Sequence, residues 1–70
     1  MMDENKTQKI EDMARWLRKD AAQVAFIIGM IRAGDALYAD NIEYARGRMR
    51  DNLKSVRRLA DLIEQELADE

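Results

Sequence analysis

Apolar residues recur at alternating spacings of three and four along two long stretches of this chain. The first set is Ile10, Met13, Ala14, Leu17, Ala21, Val24, Ile27, Ile28 and Ile31, and the second is Ile42, Ala45, Met49, Leu53, Val56, Leu59, Ala60, Ile63 and Leu67. Such spacing places side chains on one face of an α-helix. The chain has no proline, the residue that most strongly interrupts a helix. The sequence therefore predicts an all-α fold of two long amphipathic helices.

Candidate capping residues mark the ends of these helices. The side chain of Asn5 or Thr7 can accept a hydrogen bond from a free amide of the first turn, so the first helix is expected to begin near residue 7. Gly34 can take the left-handed conformation that closes a helix. Two starts for the second helix remain open, since either Asp35 or Asp40 can cap it.

The expected architecture is a two-helix antiparallel hairpin that forms a single domain over residues 1–70. Helix one is predicted at about 7–33, the turn at about 34–40 and helix two at about 41–67. A chain of 70 residues cannot bury all of its apolar surface in a hairpin, because each helix then covers only one side of the other.

The apolar surplus on helix one predicts a homodimer. The segment from residue 24 to residue 31 is apolar almost all round, and a line of small residues, among them Gly29, would allow a close approach by another helix. Two hairpins related by two-fold symmetry would form a four-helix assembly. The predicted dimer contacts are Val24, Phe26, Ile27, Gly29, Met30 and Ile31.

Composition argues against catalysis. Cysteine and histidine are both absent, which excludes disulfides, thiolate chemistry and the usual zinc sites. The acidic residues form no calcium-binding loop, and no glycine-rich phosphate loop is present. We expect a protein without enzymatic activity, metal or cofactor.

Basic residues crowd the middle of helix two. We name five of them the basic row: Arg46, Arg50, Lys54, Arg57 and Arg58. A row of this kind can contact phosphates or an acidic protein surface. It is also what an ordinary solvated helix face contains, and we favour that interpretation because the net charge is −2 and the end of the chain is acidic. Binding to nucleic acid is thus a secondary hypothesis.

Trp16 is the only tryptophan, and Arg15 and Arg18 flank its helical position. A tryptophan beside arginines is typical of interaction hot spots, although the ring could equally cover the edge of a dimer core. Tyr44 is the tyrosine expected to be more exposed, whereas Tyr38 aligns with the stripe of helix two. The candidate partner-binding residues are therefore Arg15, Trp16 and Tyr44 together with the basic row.

Two resemblances bear on function. The hairpin layout and the local run from Met13 to Arg18 resemble the Rop family of plasmid copy-number proteins, which are helical-hairpin dimers that bind paired RNA loops. The chain as a whole resembles the small helical anti-activator proteins that phages of Pseudomonas use against quorum sensing. This second resemblance rests on length, two-helix layout, apolar surplus and mixed surface charge.

The anti-activator resemblance implies a dimer that inhibits host proteins such as a LuxR-type transcription regulator, and also a pilus assembly ATPase. We therefore expect a protein-binding inhibitor in the cytoplasm of a bacterial host, with no membrane partner. The first residues lack the layout of a secretory signal, which agrees with that location. The alternatives are a Rop-like RNA-binding adaptor and a purely structural subunit of a larger particle.

Overall fold

The chain forms two antiparallel α-helices in a computed structural model that describes residues 3–68. Helix α1 spans Glu4–Arg32 and helix α2 spans Ile42–Ala68, and no strand occurs in the described part of the chain. The predicted all-α helical hairpin is confirmed. Neither of these two helices has an apolar stretch long enough to cross a lipid bilayer.

Helix α1 begins earlier than the sequence predicts. Asp3 is the N-cap, and its side chain accepts a hydrogen bond of 2.7 Å from the Lys6 amide. The Thr7 amide donates to the Asp3 carbonyl at 3.0 Å, so Asn5 and Thr7 lie inside the helix rather than at its cap. The acidic cap also favours this start, because a carboxylate interacts well with the positive end of the helix dipole.

Gly34 ends α1 as predicted. Its φ angle is 75°, and its amide donates to the Ile31 carbonyl at 3.1 Å while the Asp35 amide donates to the Met30 carbonyl at 3.0 Å. These two bonds satisfy carbonyls that the last turn of a helix leaves free, in the arrangement of a Schellman motif. The chain can then reverse direction without burying unpaired backbone groups.

Replacing Gly34 with alanine is expected to destabilise the fold by about 1–2 kcal/mol, the usual cost of a left-handed conformation for a residue with a Cβ atom. No atom lies within 4 Å of the position that this Cβ would take, so the cost is conformational and not steric. Urea denaturation followed by circular dichroism measures it.

Gly47 provides the matched control, because it lies inside α2 and a Cβ there also meets nothing within 4 Å. Gly47→Ala should stabilise the fold by about 0.5–1 kcal/mol, since alanine is the better helix former. Equal changes in both variants would contradict the role given to Gly34.

Helix α2 begins after a different cap from the two considered above. Asn41 precedes its first residue, and the Tyr44 amide donates to Asn41 Oδ1 at 3.4 Å. Asp35 instead accepts from the Leu37 amide at 2.9 Å inside the connection. Asp40 is exposed and receives no described cap bond, so the prediction that Asp35 or Asp40 caps α2 is wrong.

Two polar contacts define how the helices face each other. Lys9 Nζ lies 2.6 Å from Glu66 Oε1, and Ser55 Oγ donates a hydrogen bond to Asp20 Oδ2. In both contacts residue i of α1 faces residue 75 − i of α2. Asn52 lies on α2 between Ser55 and the turn. Its Nδ2 atom is buried without a hydrogen-bond partner in the described chain.

The hydrophobic core is small and lies mainly near the turn. Ile27 is fully buried and forms a cluster with Tyr38 and Ala45, while Leu59 is buried farther along α2. The partly buried side chains that pack against the cluster are Met30, Ile31 and Met49. The Tyr38 ring also stacks on Tyr44, with centroids 5.9 Å apart. Much of the remaining apolar surface is therefore open to solvent.

Candidate functional site

A groove of about 470 Å³ opens between the two helices on one side of the hairpin. We name it the Trp16 groove. Its lining residues are Trp16, Lys19 and Asp20 from α1, and Ser55, Arg58, Leu59 and Leu62 from α2. The two helices thus build one concave site that combines an aromatic ring, aliphatic side chains and charges of both signs.

Helical periodicity explains this lining. Trp16, Lys19 and Asp20 are three and four positions apart, so they project from one side of α1. Ser55 and Leu59 are likewise four apart on α2, and the register that pairs Asp20 with Ser55 brings the two sides together. The groove therefore follows from the same contacts that hold the hairpin.

The groove has an apolar floor and a basic rim. Leu59 is buried, whereas the Trp16 side chain is 64% exposed at the edge. The Asp20 carboxylate already accepts the Ser55 hydroxyl. Among residues 3–68, by contrast, no ion pair engages Lys19 or Arg58. A bound group with an apolar part and a negative charge would complement both features of the site.

A second depression, of about 440 Å³, lies on the other side of Trp16, and its lining within residues 3–68 comes from α1. Arg15 contributes to it, and its guanidinium lies 3.4 Å from Glu11 Oε1 and 3.5 Å from Asp12 Oδ1. Lys9 and Met13 complete the lining. Trp16 thus separates two depressions, and the neighbouring Arg15 is oriented by acids of its own helix.

The basic row lies along the exposed side of α2, and only Arg58 also lines the groove. Arg46 Nη1 lies 3.1 Å from Glu43 Oε1. Arg50, Lys54 and Arg57 are exposed and make no described ion pair. The predicted contact residues therefore fall on two surfaces, with Arg58 at the boundary.

Tyr44 is 42% exposed, as expected of the better exposed tyrosine, but it lies outside the groove. It stacks on Tyr38, which is only 8% exposed. The Tyr44 ring thus has a structural role at the turn end in addition to its exposed edge.

The residues predicted as dimer contacts do not form one surface. Ile27 is fully buried in the hairpin itself, so it has no surface left for a second chain, which corrects its assignment. Met30 packs against the same core, and Val24 and Ile31 are half-buried. Phe26 is 52% exposed, and Gly29 is exposed as well.

Sequence reasoning did not single out Lys19, Asp20, Ser55 or Leu62 as site residues. Their grouping depends on the register between the helices, which periodicity within one helix does not determine. A polar residue in line with an apolar stripe, such as Asp20 between Leu17 and Val24, was the available signal. No protein-family model, curated protein or solved structure matches this chain.

Proposed function

We propose that this chain is a non-enzymatic protein-binding inhibitor that contacts its partner through the Trp16 groove. The observation that carries the proposal is the exposed Trp16 ring beside an apolar floor. A tryptophan that is 64% exposed leaves a large apolar area in water, and burying such a ring is a common source of binding energy.

The groove favours a partner segment of a particular chemistry. Leu59 and Leu62 can pack against an apolar side chain, while Lys19 and Arg58 can each bind a carboxylate. The site therefore suits an acidic segment that also carries an apolar anchor. Occupying such a segment on a transcription regulator would block its other contacts, which is inhibition without chemistry.

A LuxR-type transcription regulator is the partner class that the resemblance to phage anti-activators implies. Under this proposal, expression of the chain in a bacterial quorum-sensing reporter strain lowers transcription that depends on the regulator. The Trp16→Ala variant should leave that transcription unchanged, because it removes the proposed anchor and is far from the buried cluster at the turn.

The direct test is affinity capture of the tagged chain from bacterial lysate, with and without nuclease, followed by mass spectrometry. We expect a stoichiometric protein that survives nuclease and is reduced at least tenfold by Trp16→Ala, as for a hot-spot residue. Phe26→Ala is the matched control, since Phe26 is 52% exposed on the same helix but outside the groove, and it should retain the partner. Equal retention by both variants would refute the proposal.

A second candidate function is nucleic-acid binding, favoured by Arg50, Lys54 and Arg57 of the basic row, which are exposed and make no ion pair within residues 3–68. Recovery of nucleic acid alone in the capture experiment would support it and contradict the inhibitor. In that case the double change of Arg50 and Lys54 to alanine should weaken binding to all sequences and lower the salt slope by about one per lost phosphate contact.

A further inference from the structure

The side of the hairpin opposite the Trp16 groove carries a row of mainly apolar residues on each helix. On α1 an apolar residue recurs at alternating spacings of four and three from Ile10 to Ile31, and on α2 the same pattern runs from Ile42 to Leu67 with Arg46 as its one charged member. We name this surface the heptad face. Ile28, which belongs to it, lies about 120° around α1 from Trp16, with the buried line of Ile27 between them.

The heptad face is partly exposed on both helices, with half-buried members such as Leu17 and Val56 between the exposed ones. Among its members Ile28 and Ile42 are each 44% exposed, Leu53 is 41% exposed and Leu67 is 49% exposed. A repeat of apolar residues every seven positions is the pattern with which helices pack against other helices. The hairpin uses only part of this pattern internally, so the remainder is available to further helices.

The exposed area matches one further interface. The accessible surface of the chain is 5382 Å², whereas a compact monomer of 8.1 kDa exposes about 4,500 Å². The excess of about 900 Å² is close to the roughly 800 Å² that each partner buries in a standard interface. The hairpin also measures 50 × 15 Å in its two larger dimensions, an outline of about 750 Å².

The heptad face is complementary to itself. If two copies of α1 pack antiparallel with position 19 at the centre of the contact, Leu17 of one copy meets Ala21 of the other, and Ala14 meets Val24. A small side chain then meets a larger one in each pair. If two copies of α2 pack antiparallel with the centre midway between positions 54 and 55 (position 54.5), Met49 of one copy meets Ala60 of the other in the same way. Alternation of large and small residues across a contact allows helices to interdigitate.

One symmetry axis satisfies both helices. Because residue i of α1 faces residue 75 − i of α2, position 19 is level with position 56. This is within 1.5 residues of position 54.5, a difference of about 2 Å along a helix. A single two-fold axis across the hairpin at this level therefore brings both halves of the heptad face onto their own copies.

Charge supports the same arrangement. Arg46 and Glu64 are 18 residues apart, which is five full helical turns, so both lie on one line at the edge of the heptad face. Reversal about position 54.5 brings Arg46 to position 63, next to Glu64 of a second copy. The symmetry thus creates two pairs of opposite charge at the rim, where such pairs help to fix register.

From these observations we infer that two copies of this chain pack through the heptad face, α1 against α1 and α2 against α2, in antiparallel four-helix fashion. The turn of each hairpin then lies over the open end of the other, and Ile42 contacts Leu67 of the second copy. Both Trp16 grooves point away from the interface, so the dimer presents two equivalent binding sites.

Sedimentation equilibrium of the full chain tests this arrangement with one matched pair of variants. The unsubstituted chain should sediment at twice 8.1 kDa. Leu53→Glu should weaken the dimer at least tenfold, because it places two carboxylates near the axis. Leu62→Glu makes the same change on the groove side of α2 and should leave the dimer intact. A monomeric unsubstituted chain, or dissociation by Leu62→Glu alone, would overturn the inference.

A charge exchange covers the case in which Leu53→Glu fails to fold. Arg46→Glu should weaken the dimer several-fold, and adding Glu64→Arg should restore it, because both changes are at exposed positions. Failure of the double variant to restore the dimer would refute the proposed register. Affinity capture with Trp16→Ala tests the proposed function, and sedimentation tests the dimer. A negative result in one experiment therefore does not decide the other.

Discussion

Replacing Ile27 with alanine is expected to lower the free energy of unfolding by about 2–5 kcal/mol, the usual range for a large aliphatic side chain removed from a core. Ile27 is fully buried, and it is the only large side chain among residues 3–68 with that degree of burial. A small domain has little stability to lose, so this change alone should leave a large share of molecules unfolded.

Urea denaturation at a fixed protein concentration, followed by far-ultraviolet circular dichroism, measures this loss. Leu37→Ala is the control, because Leu37 is an aliphatic residue near the same end of the hairpin and is 55% exposed. Its loss should cost well under 1 kcal/mol, as at most surface positions. Similar losses in the two variants would show that Ile27 does not occupy the core described above.

Replacing Asn52 with leucine is expected to stabilise the fold by about 1–3 kcal/mol, the cost of a buried polar group left without a partner. The Nδ2 atom of Asn52 is buried and makes no hydrogen bond within residues 3–68. Leucine has the same number of side-chain heavy atoms with the same branching, and it removes this unsatisfied donor. Its side chain would join the apolar surface between the two helices.

Asn41→Leu provides a control of opposite sign. Asn41 caps α2 through the 3.4 Å bond from the Tyr44 amide, so the same substitution there should destabilise the chain by about 1 kcal/mol. Thermal unfolding of both variants under the same conditions compares them. Destabilisation by Asn52→Leu would mean that the Asn52 amide makes an interaction that compensates for its burial.

Periodicity predicted the two helices well because the apolar spacing within a helix depends only on local geometry. The apolar spacing from Ile10 to Ile31 depends only on the geometry of one helix, and the closing role of Gly34 depends only on its own backbone freedom. The first caps were harder to predict, since Asp3, Asn5 and Thr7 can all accept the same kind of hydrogen bond. Which of them is the N-cap depends on where the backbone changes from the extended to the helical conformation, and this is at Asp3.

The candidate site was predictable only in part. Trp16 was identified because it is the only tryptophan and has arginines beside it, and it is indeed exposed. Its partners across the groove could not be derived in the same way, because Ser55 and Leu62 approach α1 only in one register of the two helices. That register depends on contacts between residues distant in sequence, such as Lys9 with Glu66.

The uneven distribution of the core has a consequence for how the chain closes during folding. Ala45 belongs to the buried cluster at the turn end and Ile31 packs against it, and these two residues are 14 positions apart in sequence. Lys9 and Glu66, which meet at the open end, are 57 positions apart. Closing a short loop costs less conformational entropy than closing a long one. We therefore expect the turn end of an isolated hairpin to form first, and the open end to form last and separate first.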